Sequence, residues 1–422
     1  MKLIQYFNQF LRDAVNLNQT RLNDLDTRVD RITNALKEAG ALDGRVLDTV
    51  PQGSWAHRTI IRPAADLEFD ADFLVQLTED LDWNDNPRTY ANAVWTALST
   101  HSTYGEMSTK KDRCVRVTYA NDCHIDIVTY VVLQSGREVI VNRSINQFED
   151  TNPIGFTDWI QEKDTLTGGN LRKVIRLLKY ARDHHGAFKV KSILLTTMVG
   201  NVVDNWRTYD ADYYKDVPTT LLHLTEDLDA WLQQQWTKPS ITDPSCPTTT
   251  FDHRWTETQW SAFKNAFHTF AELVHDAYHA ETRDDSITKW QDVFGTAFPS
   301  ALTASRAAST ETASLSHTPK RQRAPGEVFI DEKFPVDTRY HVTIRCEIAE
   351  PRNRAERRFL RARAGRVAKQ RKLVFTLVGT DTPAPYDVYW KVRNQGGEAA
   401  AKGQLRGDLN PALLEVPWVG GG

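Results

Sequence analysis

Residues 67–73 alternate strictly between apolar and acidic side chains. The odd positions are apolar, namely Leu67, Phe69, Ala71 and Phe73. The even positions are acidic and include Asp70 and Asp72. A period of two predicts a β-strand that carries both aspartates on one face. Such like charges repel each other, and a divalent cation such as Mg²⁺ relieves the repulsion because it prefers oxygen ligands. A solvated edge strand is the competing interpretation.

A Gly-Ser pair, Gly53 and Ser54, lies upstream of this strand. A turn at such a pair can present backbone N–H groups and a hydroxyl to a phosphate.

Residues 113–132 predict a β-hairpin, with apolar side chains at alternate positions on both sides of an Asn121-Asp122 turn. The second strand carries Asp126 between Ile125 and Ile127. Asp126 by itself could be a paired aspartate of the core. Beside a strand that carries Asp70 and Asp72, it is a candidate third metal ligand.

Helical periodicity predicts the other elements of the first 300 residues. Residues 2–39 predict one long helix, and residues 86–100 predict a second. Residues 171–180 have an apolar face and a basic face that includes Arg176 and Lys179, and the ordinary interpretation of the basic face is solvation. Ser192 begins the next apolar helix and is expected to be its N-cap.

The tryptophans of residues 221–300 recur at helical spacing around a proline-rich loop at 239–247, so we expect them in a core. They are Trp231, Trp236, Trp255, Trp260 and Trp290. Residues 301–324 are rich in Ala, Ser and Thr and predict a flexible linker. Strand patterns follow from residue 325, at 328–330, 340–348, 373–378 and 386–392.

The basic segment, residues 352–372, holds ten Lys and Arg and a single acidic residue, Glu356. This density is typical of phosphate contact, although a merely solvated connection is an equal alternative. Net charge also differs between the two parts of the chain, and the part that contains the basic segment is positive. Residues 301–422 carry 21 Lys+Arg against 13 Asp+Glu, or +8, and the first 300 carry 31 against 42, or −11. The two parts therefore suit different partners.

Composition excludes several classes of protein. The 422 residues are 40% hydrophobic and 25% charged, which is typical of a globular protein. No apolar run approaches the roughly 20 residues that cross a bilayer, and the N-terminus lacks the pattern of a signal peptide. Four scattered cysteines give no zinc-ligand spacing. We expect a reduced, cytoplasmic protein without a membrane partner.

Taken together, the Gly-Ser turn and the three aspartates form the parts of a two-metal nucleotidyltransferase. Asp70, Asp72 and Asp126 could hold two Mg²⁺ ions, one for the attacking hydroxyl and one for the leaving pyrophosphate. Lys179 and Lys191 could neutralise a triphosphate.

The same segments resemble the bacterial cGAS/DncV-like nucleotidyltransferases (CD-NTases) that carry a SMODS domain. The similar segments are QGSWAHRT, FDADFLVQL, CHIDIV, LRKVIRLLKYARDHHGAFKVKSILL, ITDPSCPTTTF and WQDVFGTAFP. By this resemblance, Lys179 and Ser192 contact the donor triphosphate, and Gly53 and Ser54 belong to the same nucleotide site. The C-terminal segments PGEVFIDEKF, YHVTIRCEI, LVFTLVGTDTPAPYDVYWKVRNQGGEA and LRGDL resemble an AGS-C sensor domain.

Several positions depart from the family pattern. Arg58 stands where a glycine is usual, Ala71 replaces a β-branched residue, and Thr129 stands where proline is common. The chain also ends soon after LRGDL, so we expect a truncated or atypical sensor. None of these departures removes a predicted metal ligand.

The resemblance implies an α+β fold, with a polymerase-β-like nucleotidyltransferase core, a helical lobe, an N-terminal spine helix and a small β-rich C-terminal domain. We expect the synthetase at residues 1–300, the linker at 301–324 and the sensor at 325–422. The implied reaction joins nucleoside triphosphates, ATP among them, into a cyclic di- or trinucleotide with two Mg²⁺ ions, for which Mn²⁺ is a substitute. The product would switch on a separate effector in anti-phage (CBASS) signalling.

Two alternatives remain open from the sequence. One is a nucleotidyltransferase that adds nucleotides to a nucleic-acid or protein acceptor. The other is a non-catalytic module whose basic segment binds nucleic acid or a nucleotide ligand. Base choice, linkage, ring size, activating signal and oligomeric state are not encoded in any motif.

Overall fold

The computed structural model describes residues 1–64, 68–120 and 122–302, together with short strands between 342 and 417. Backbone contacts divide the chain into two compact units, Met1–Thr303 and Ala304–Gly422. No helix in the described ranges is both long enough and apolar enough to span a bilayer.

The first unit alternates between a β-rich part and a helical part. Its helices are α1 (Ile4–Phe10), α2 (Gln19–Glu38), α3 (Gly53–Ala56), α4 (Leu81–Asn84), α5 (Arg88–Ser99), α6 (Pro153–Leu166), α7 (Leu171–His184), α8 (Ser192–Asn201), α9 (Val217–Gln233), α10 (Glu257–His279) and α11 (Arg283–Phe294). Its strands are β1 (Val46–Gln52), β2 (Phe69–Leu77), β3 (Ser108–Lys110), β4 (Cys114–Tyr119), β5 (Cys123–Val132), β6 (Glu138–Asn142), β7 (Gln147–Asp150), β8 (Thr242–Asp243) and β9 (Cys246–Thr250).

A mixed sheet is the centre of this unit. Its strands run in the order β1-β2-β5-β4-β3, with β6 paired to β5 and β7 paired to β6. β2 and β5 are parallel, and the other pairs are antiparallel. The predicted strand around Asp70 and Asp72 and the predicted hairpin are both confirmed. The helix predicted at 86–100 is confirmed as α5.

Alternation along β2 separates a buried face of the sheet from a polar one. Phe69, Ala71 and Phe73 are buried in a core that they share with apolar side chains of α2 and α5. Asp70 and Asp72 therefore lie on the opposite face. Ala71, at 1% exposure, belongs to the same core.

The predicted single helix at 2–39 is wrong, because it is broken in the middle. α1 continues into one turn of π-helix, Leu11–Val15, and α2 begins only at Gln19. Asn18 caps α2, since its side chain accepts a hydrogen bond from the Arg21 N–H. The break directs Phe7 and Phe10 into the core of the helical lobe, whereas the apolar face of α2 packs on the sheet.

The helical lobe is built from α6–α11 around a second core. Trp255, Trp260 and Trp290 are buried there, as predicted, but Trp236 is 97% exposed, so the prediction is wrong at that position. Trp236 follows the end of α9, where helical spacing no longer determines the direction of a side chain. The predicted loop at 239–247 contains a short hairpin, β8–β9.

The second unit contains a sheet and a separate pair of strands. β10 (Val342–Ala349), β11 (Leu360–Arg361), β12 (Lys372–Thr380) and β15 (Leu414–Pro417) form an antiparallel sheet in the order β11-β10-β12-β15. β13 (Tyr389–Lys391) pairs with β14 (Leu409–Pro411). The strands predicted at 340–348, 373–378 and 386–392 correspond to β10, β12 and β13, whereas the sequence does not predict β11, β14 and β15. The predicted strand at 328–330, nearly all of the linker and most of the basic segment lie outside the described residues.

Gly200 in α8 tests the packing of the helical lobe. A Cβ atom at this position would overlap the ring of Trp159. We expect Gly200→Ala to destabilise the protein by about 1–3 kcal/mol through overpacking, net of a helix-propensity gain of about 1 kcal/mol. Urea unfolding measures the change. Gly40→Ala is the control, because nothing lies within 4 Å of the added atom. Equal stability of the two variants would contradict the packing.

Candidate active site

The three predicted carboxylates lie on adjacent parallel strands. Asp72 of β2 is in register with Asp126 of β5, and Asp70 is in register with His124. Paired strands are about 4.8 Å apart, and in-register residues point to the same face. The structure thus places Asp70, Asp72 and Asp126 together in one group, called here the acid cluster.

A cavity of about 730 Å³ opens over the acid cluster, between the sheet and the helical lobe. Its lining includes Gly53, Asp72, Asp126, Phe156, Asp243 and Arg254. The Asp70 side chain is 61% exposed. A cleft of this size can hold a nucleotide-sized ligand.

Gly53 allows the chain to approach Asp72 closely. The predicted Gly-Ser turn is the four-residue helix α3, which begins at Gly53 with a φ of +61°. A Cβ atom there would lie 2.6 Å from Asp72 Oδ2. Glycine is required both by this contact and by the left-handed backbone. Ser54 follows in the same turn and is partly exposed.

Burial and charge repulsion act together on Asp72. Burial, followed by the charges of Asp126 and Asp70, raises the pKa of its carboxyl to about 7. The acid cluster therefore has more negative charge at neutral pH than its surroundings neutralise.

Arg116 of β4 neutralises Asp126, the other carboxylate of the cluster that lines the cavity. Its Nε donates to Asp126 Oδ1 at 2.7 Å and its Nη2 donates to Asp126 Oδ2 at 2.8 Å. The same Nη2 lies 3.4 Å from Asp70 Oδ1. These contacts raise the pKa of Arg116, which stays charged.

The chemistry of the acid cluster fits a divalent cation. Carboxylate oxygens are ligands that Mg²⁺ and Mn²⁺ prefer, and such an ion would offset the burial and the charge repulsion that raise the pKa of Asp72. Among the residues with described positions, no three His, Cys, Asp or Glu side chains already converge as a metal site. In this arrangement the Arg116 guanidinium occupies both oxygens of Asp126.

Lys179 and Arg176 do not form a solvated face, so that interpretation of the α7 basic residues is wrong. The Lys179 ammonium is buried and donates to the carbonyl and the hydroxyl of Thr59, each at 3.1 Å. Arg176 donates to the carbonyl of Arg58 at 2.7 Å. Burial lowers the pKa of Lys179 to about 7 and that of Arg176 to about 10. These cations stabilise the segment that follows α3.

Arg58 itself has a left-handed backbone, with a φ of 55°. The side chain makes this backbone strained, because only glycine adopts such a φ without steric cost. The strain lies next to α3, so the substitution bears directly on the Gly53-Ser54 turn.

Ser192 and Lys191 lie in a different concave surface. It has a volume of about 830 Å³ and is also lined by Arg182, Lys189 and Trp255. Ser192 Oγ accepts a hydrogen bond from Arg182 at 3.0 Å. Ser192 is the first residue of α8, and the cap position belongs to Lys191, so the predicted N-cap is wrong. Neither residue lines the cavity of Asp72 and Asp126.

The β8–β9 hairpin forms part of the cavity rim. Asp243 is buried and accepts hydrogen bonds from the Ser245 N–H and Oγ, at 2.8 and 2.7 Å. Asn152, the N-cap of α6, donates to the Ser245 carbonyl at 3.1 Å. The hairpin is thereby fixed to the strand–helix junction opposite the acid cluster.

Sequence reasoning missed other residues of the cavity. His57 stacks on Phe156 with 4.9 Å between ring centroids. Burial, with smaller effects of Lys179 and Arg172, lowers its pKa to about 3, so His57 is neutral at physiological pH. Arg113 makes a two-point ion pair with Glu149 at 2.6 and 2.8 Å. The sequence shows only that Arg113 precedes β4, and this position does not identify Glu149 as its partner.

Comparisons with known proteins identify two family domains in the chain. Residues 1–164 match the family model of the Second Messenger Oligonucleotide or Dinucleotide Synthetase (SMODS) domain. Residues 325–412 match that of the Adenylyl/Guanylyl and SMODS C-terminal sensor domain. The chain is 29% identical over 153 residues to a c-di-GMP synthase of Roseivirga ehrenbergii, a match that covers 35% of this chain and 40% of that protein. It is 22% identical over 316 residues to a cyclic AMP-AMP-AMP synthase of Acinetobacter sp., covering 74% of this chain and 89% of that protein.

Solved structures show the same fold. The chain is similar to Escherichia coli CdnC with ATP, with a TM-score of 0.55 and 20% identity, over 70% of this chain and 98% of that one. It is similar to Vibrio cholerae DncV, with a TM-score of 0.55 and 16% identity, over 71% of this chain and 96% of that one. The expected polymerase-β-like, mixed helix and sheet fold is thereby confirmed.

We expect Arg58→Gly to stabilise the protein by roughly 0.5–1 kcal/mol. Relief of the left-handed backbone is worth about 1–2 kcal/mol, and the added freedom of a glycine in the unfolded chain offsets part of it. Urea unfolding measures the difference. Arg58→Ala is the matched control, since it removes the same charge beside Arg172 but keeps the strain. Equal gains from both variants would show that charge, not backbone, is responsible.

The raised pKa of Asp72 predicts a pH dependence of stability without metal. Between pH 4 and pH 7 the folded state binds a proton that the unfolded state releases, so stability falls as pH rises through this window. We expect Asp72→Asn to remove that fall in stability. At pH 8 the variant should be more stable than wild type by about 2 kcal/mol, a value reduced because solvent in the cleft screens the charge of Asp72. Urea unfolding in EDTA at pH 5 and pH 8 tests this. A variant less stable than wild type at pH 8 would contradict it.

Proposed function

We propose that this chain, which belongs to the SMODS-domain nucleotidyltransferases with a C-terminal sensor domain, joins nucleoside triphosphates into a cyclic di- or trinucleotide second messenger. The observation that carries the proposal is the in-register pair of Asp72 and Asp126 beside the close approach of Gly53, all lining one cleft. Relatives named as synthases of c-di-GMP and cyclic AMP-AMP-AMP support the choice of product class.

Each nucleotidyl transfer is the attack of a 2′- or 3′-hydroxyl oxygen on the α-phosphorus of a nucleoside triphosphate. A new P–O bond forms, the bond from the α-phosphorus to the bridging oxygen breaks, pyrophosphate leaves, and the hydroxyl proton passes to solvent. Nucleotidyltransferases typically need a divalent metal, and we assign two Mg²⁺ ions, replaceable by Mn²⁺, to Asp70, Asp72 and Asp126. Such ions supply positive charge at the attacking and leaving oxygens.

The remaining groups hold the donor and exclude water. The Gly53-Ser54 turn is assigned to the β- and γ-phosphates. Lys179 is buried and bonded to Thr59, so we assign it a positioning role behind that turn. Ser192 lines the neighbouring concave surface, so a bound triphosphate would contact it only by extending there from the cavity of Asp72 and Asp126. Arg254 lines both the cavity and this surface, which supports the view that the two are continuous.

We also propose the biological setting that the family resemblance implies. Residues 1–300 would form the synthetase, 301–324 the linker and 325–422 the sensor, with the basic segment as a site for nucleic acid or a nucleotide ligand. The product would activate a separate effector in anti-phage signalling in the cytoplasm, where nucleoside triphosphates are plentiful.

The first test is loss of synthesis in the double variant Asp70→Asn, Asp72→Asn. We expect product formation to fall by about a thousandfold, because cations of this kind contribute several kcal/mol to the transition state. Full-length protein is incubated with ATP, GTP, CTP, UTP and Mg²⁺ or Mn²⁺, and mass spectrometry identifies the products. The matched control is Asp24→Asn with Asp30→Asn, which removes two exposed carboxylates of α2 on the other side of the sheet.

Three outcomes separate the candidates. A phosphatase-resistant cyclic product from nucleotides alone supports the proposal. A strict requirement for an added nucleic acid or protein acceptor would overturn it in favour of transfer to that acceptor. Wild-type product from the double variant, with a native circular dichroism spectrum in both proteins, would overturn the assignment of the acid cluster.

A further inference from the structure

The Arg116 guanidinium takes both oxygens of one predicted metal ligand and contacts a second. Its two nitrogens lie 2.7 and 2.8 Å from the two oxygens of Asp126, and one of them lies 3.4 Å from Asp70. Arg116 and Asp126 are paired directly across β4 and β5. The contact is therefore fixed by the sheet register and does not depend on a mobile loop.

This contact has an electrostatic effect on Asp126. A two-point guanidinium–carboxylate pair is among the stronger hydrogen-bonded contacts in proteins, and it leaves Asp126 no oxygen without a cationic partner. A divalent cation would need oxygens of the same carboxylate.

We propose that Arg116 is an internal counter-ion that competes with the divalent cation for Asp126 and Asp70. This inference rests on the proposed function, because it assumes that the acid cluster holds metal. In the metal-free protein the guanidinium holds the carboxylates together. Metal binding displaces it, and Arg116 acts as a positioning residue that sets the affinity of the acid cluster for the cation.

The displaced guanidinium needs a new anion, and a triphosphate supplies one. The planar fork of arginine matches phosphate oxygens as well as it matches a carboxylate. Nucleotide therefore favours the arrangement in which Arg116 has left Asp126. Metal and nucleotide then bind cooperatively, which restricts metal loading to the substrate-bound enzyme.

Direct Mn²⁺ binding without nucleotide tests the competition. Electron paramagnetic resonance of free Mn²⁺ gives the Kd for full-length protein. We expect Arg116→Gln to bind Mn²⁺ about 10- to 100-fold more tightly than wild type, the range that corresponds to loss of one charge-assisted pair. Arg116→Lys keeps the charge but not the two-point geometry, so its Kd should fall between the two.

Arg113→Gln is the matched control. Arg113 lines the same cavity and forms the same kind of pair, but with Glu149. The Arg113→Gln variant loses an equal charge without freeing any oxygen of the acid cluster. We therefore expect its Mn²⁺ affinity to stay within about threefold of wild type. A gain equal to that of Arg116→Gln would mean that general charge, not competition, sets the affinity, and would overturn the inference.

A non-hydrolysable ATP analogue tests the coupling. We expect it to tighten Mn²⁺ binding more in wild type than in Arg116→Gln. Unchanged or weaker Mn²⁺ binding by folded Arg116→Gln and Arg116→Lys would overturn the inference alone and leave the proposed function standing. Absence of Mn²⁺ binding in every protein, even with the analogue, would overturn both.

Discussion

Mutual repulsion among Asp70, Asp72 and Asp126 is the constraint on which the rest of the structure depends. Three carboxylates on neighbouring strands stay together only if the strands cannot separate. The strands are held from below, where Phe69, Ala71 and Phe73 pack into the core under α2 and α5. A register shift of one residue would bring Asp70 and Asp72 into that core, so the apolar face enforces the position of the acids.

Positive charge is distributed unevenly around the acids. Arg116 is bonded to Asp126, while Lys179 and Arg176 are bonded to the carbonyls of Thr59 and Arg58. Lys179 is buried and Arg176 is half-buried, and burial lowers the pKa of both. Their hydrogen-bond acceptors are neutral oxygens, which carry no negative charge to offset the two cations. An anionic ligand near α3 would therefore lower the electrostatic energy of both sides of the cleft.

The sequence predicts those parts of the site that depend on local periodicity. Alternation placed Asp70 and Asp72 on one face, and the hairpin placed Asp126 on a neighbouring strand. It could not place Arg116 opposite Asp126, because the register of β4 against β5 depends on how many residues the turn contains. It could not place Lys179 in the interior either, since burial of a lysine depends on what packs over the helix, here the segment around Thr59.

The break at Asn18 shows why the length of an apolar pattern is a poor guide to the length of a helix. Apolar spacing continues through residues 2–39, but the two halves face different cores. A straight helix would hold one face in one direction, so it could not serve both the sheet and the helical lobe. Because one short segment enters both cores, the two walls of the cleft are linked at the N-terminus as well as at the Asn152–Ser245 contact. Two separate links of this kind limit how far the walls can move apart, and the acid cluster keeps its position relative to the opposing rim.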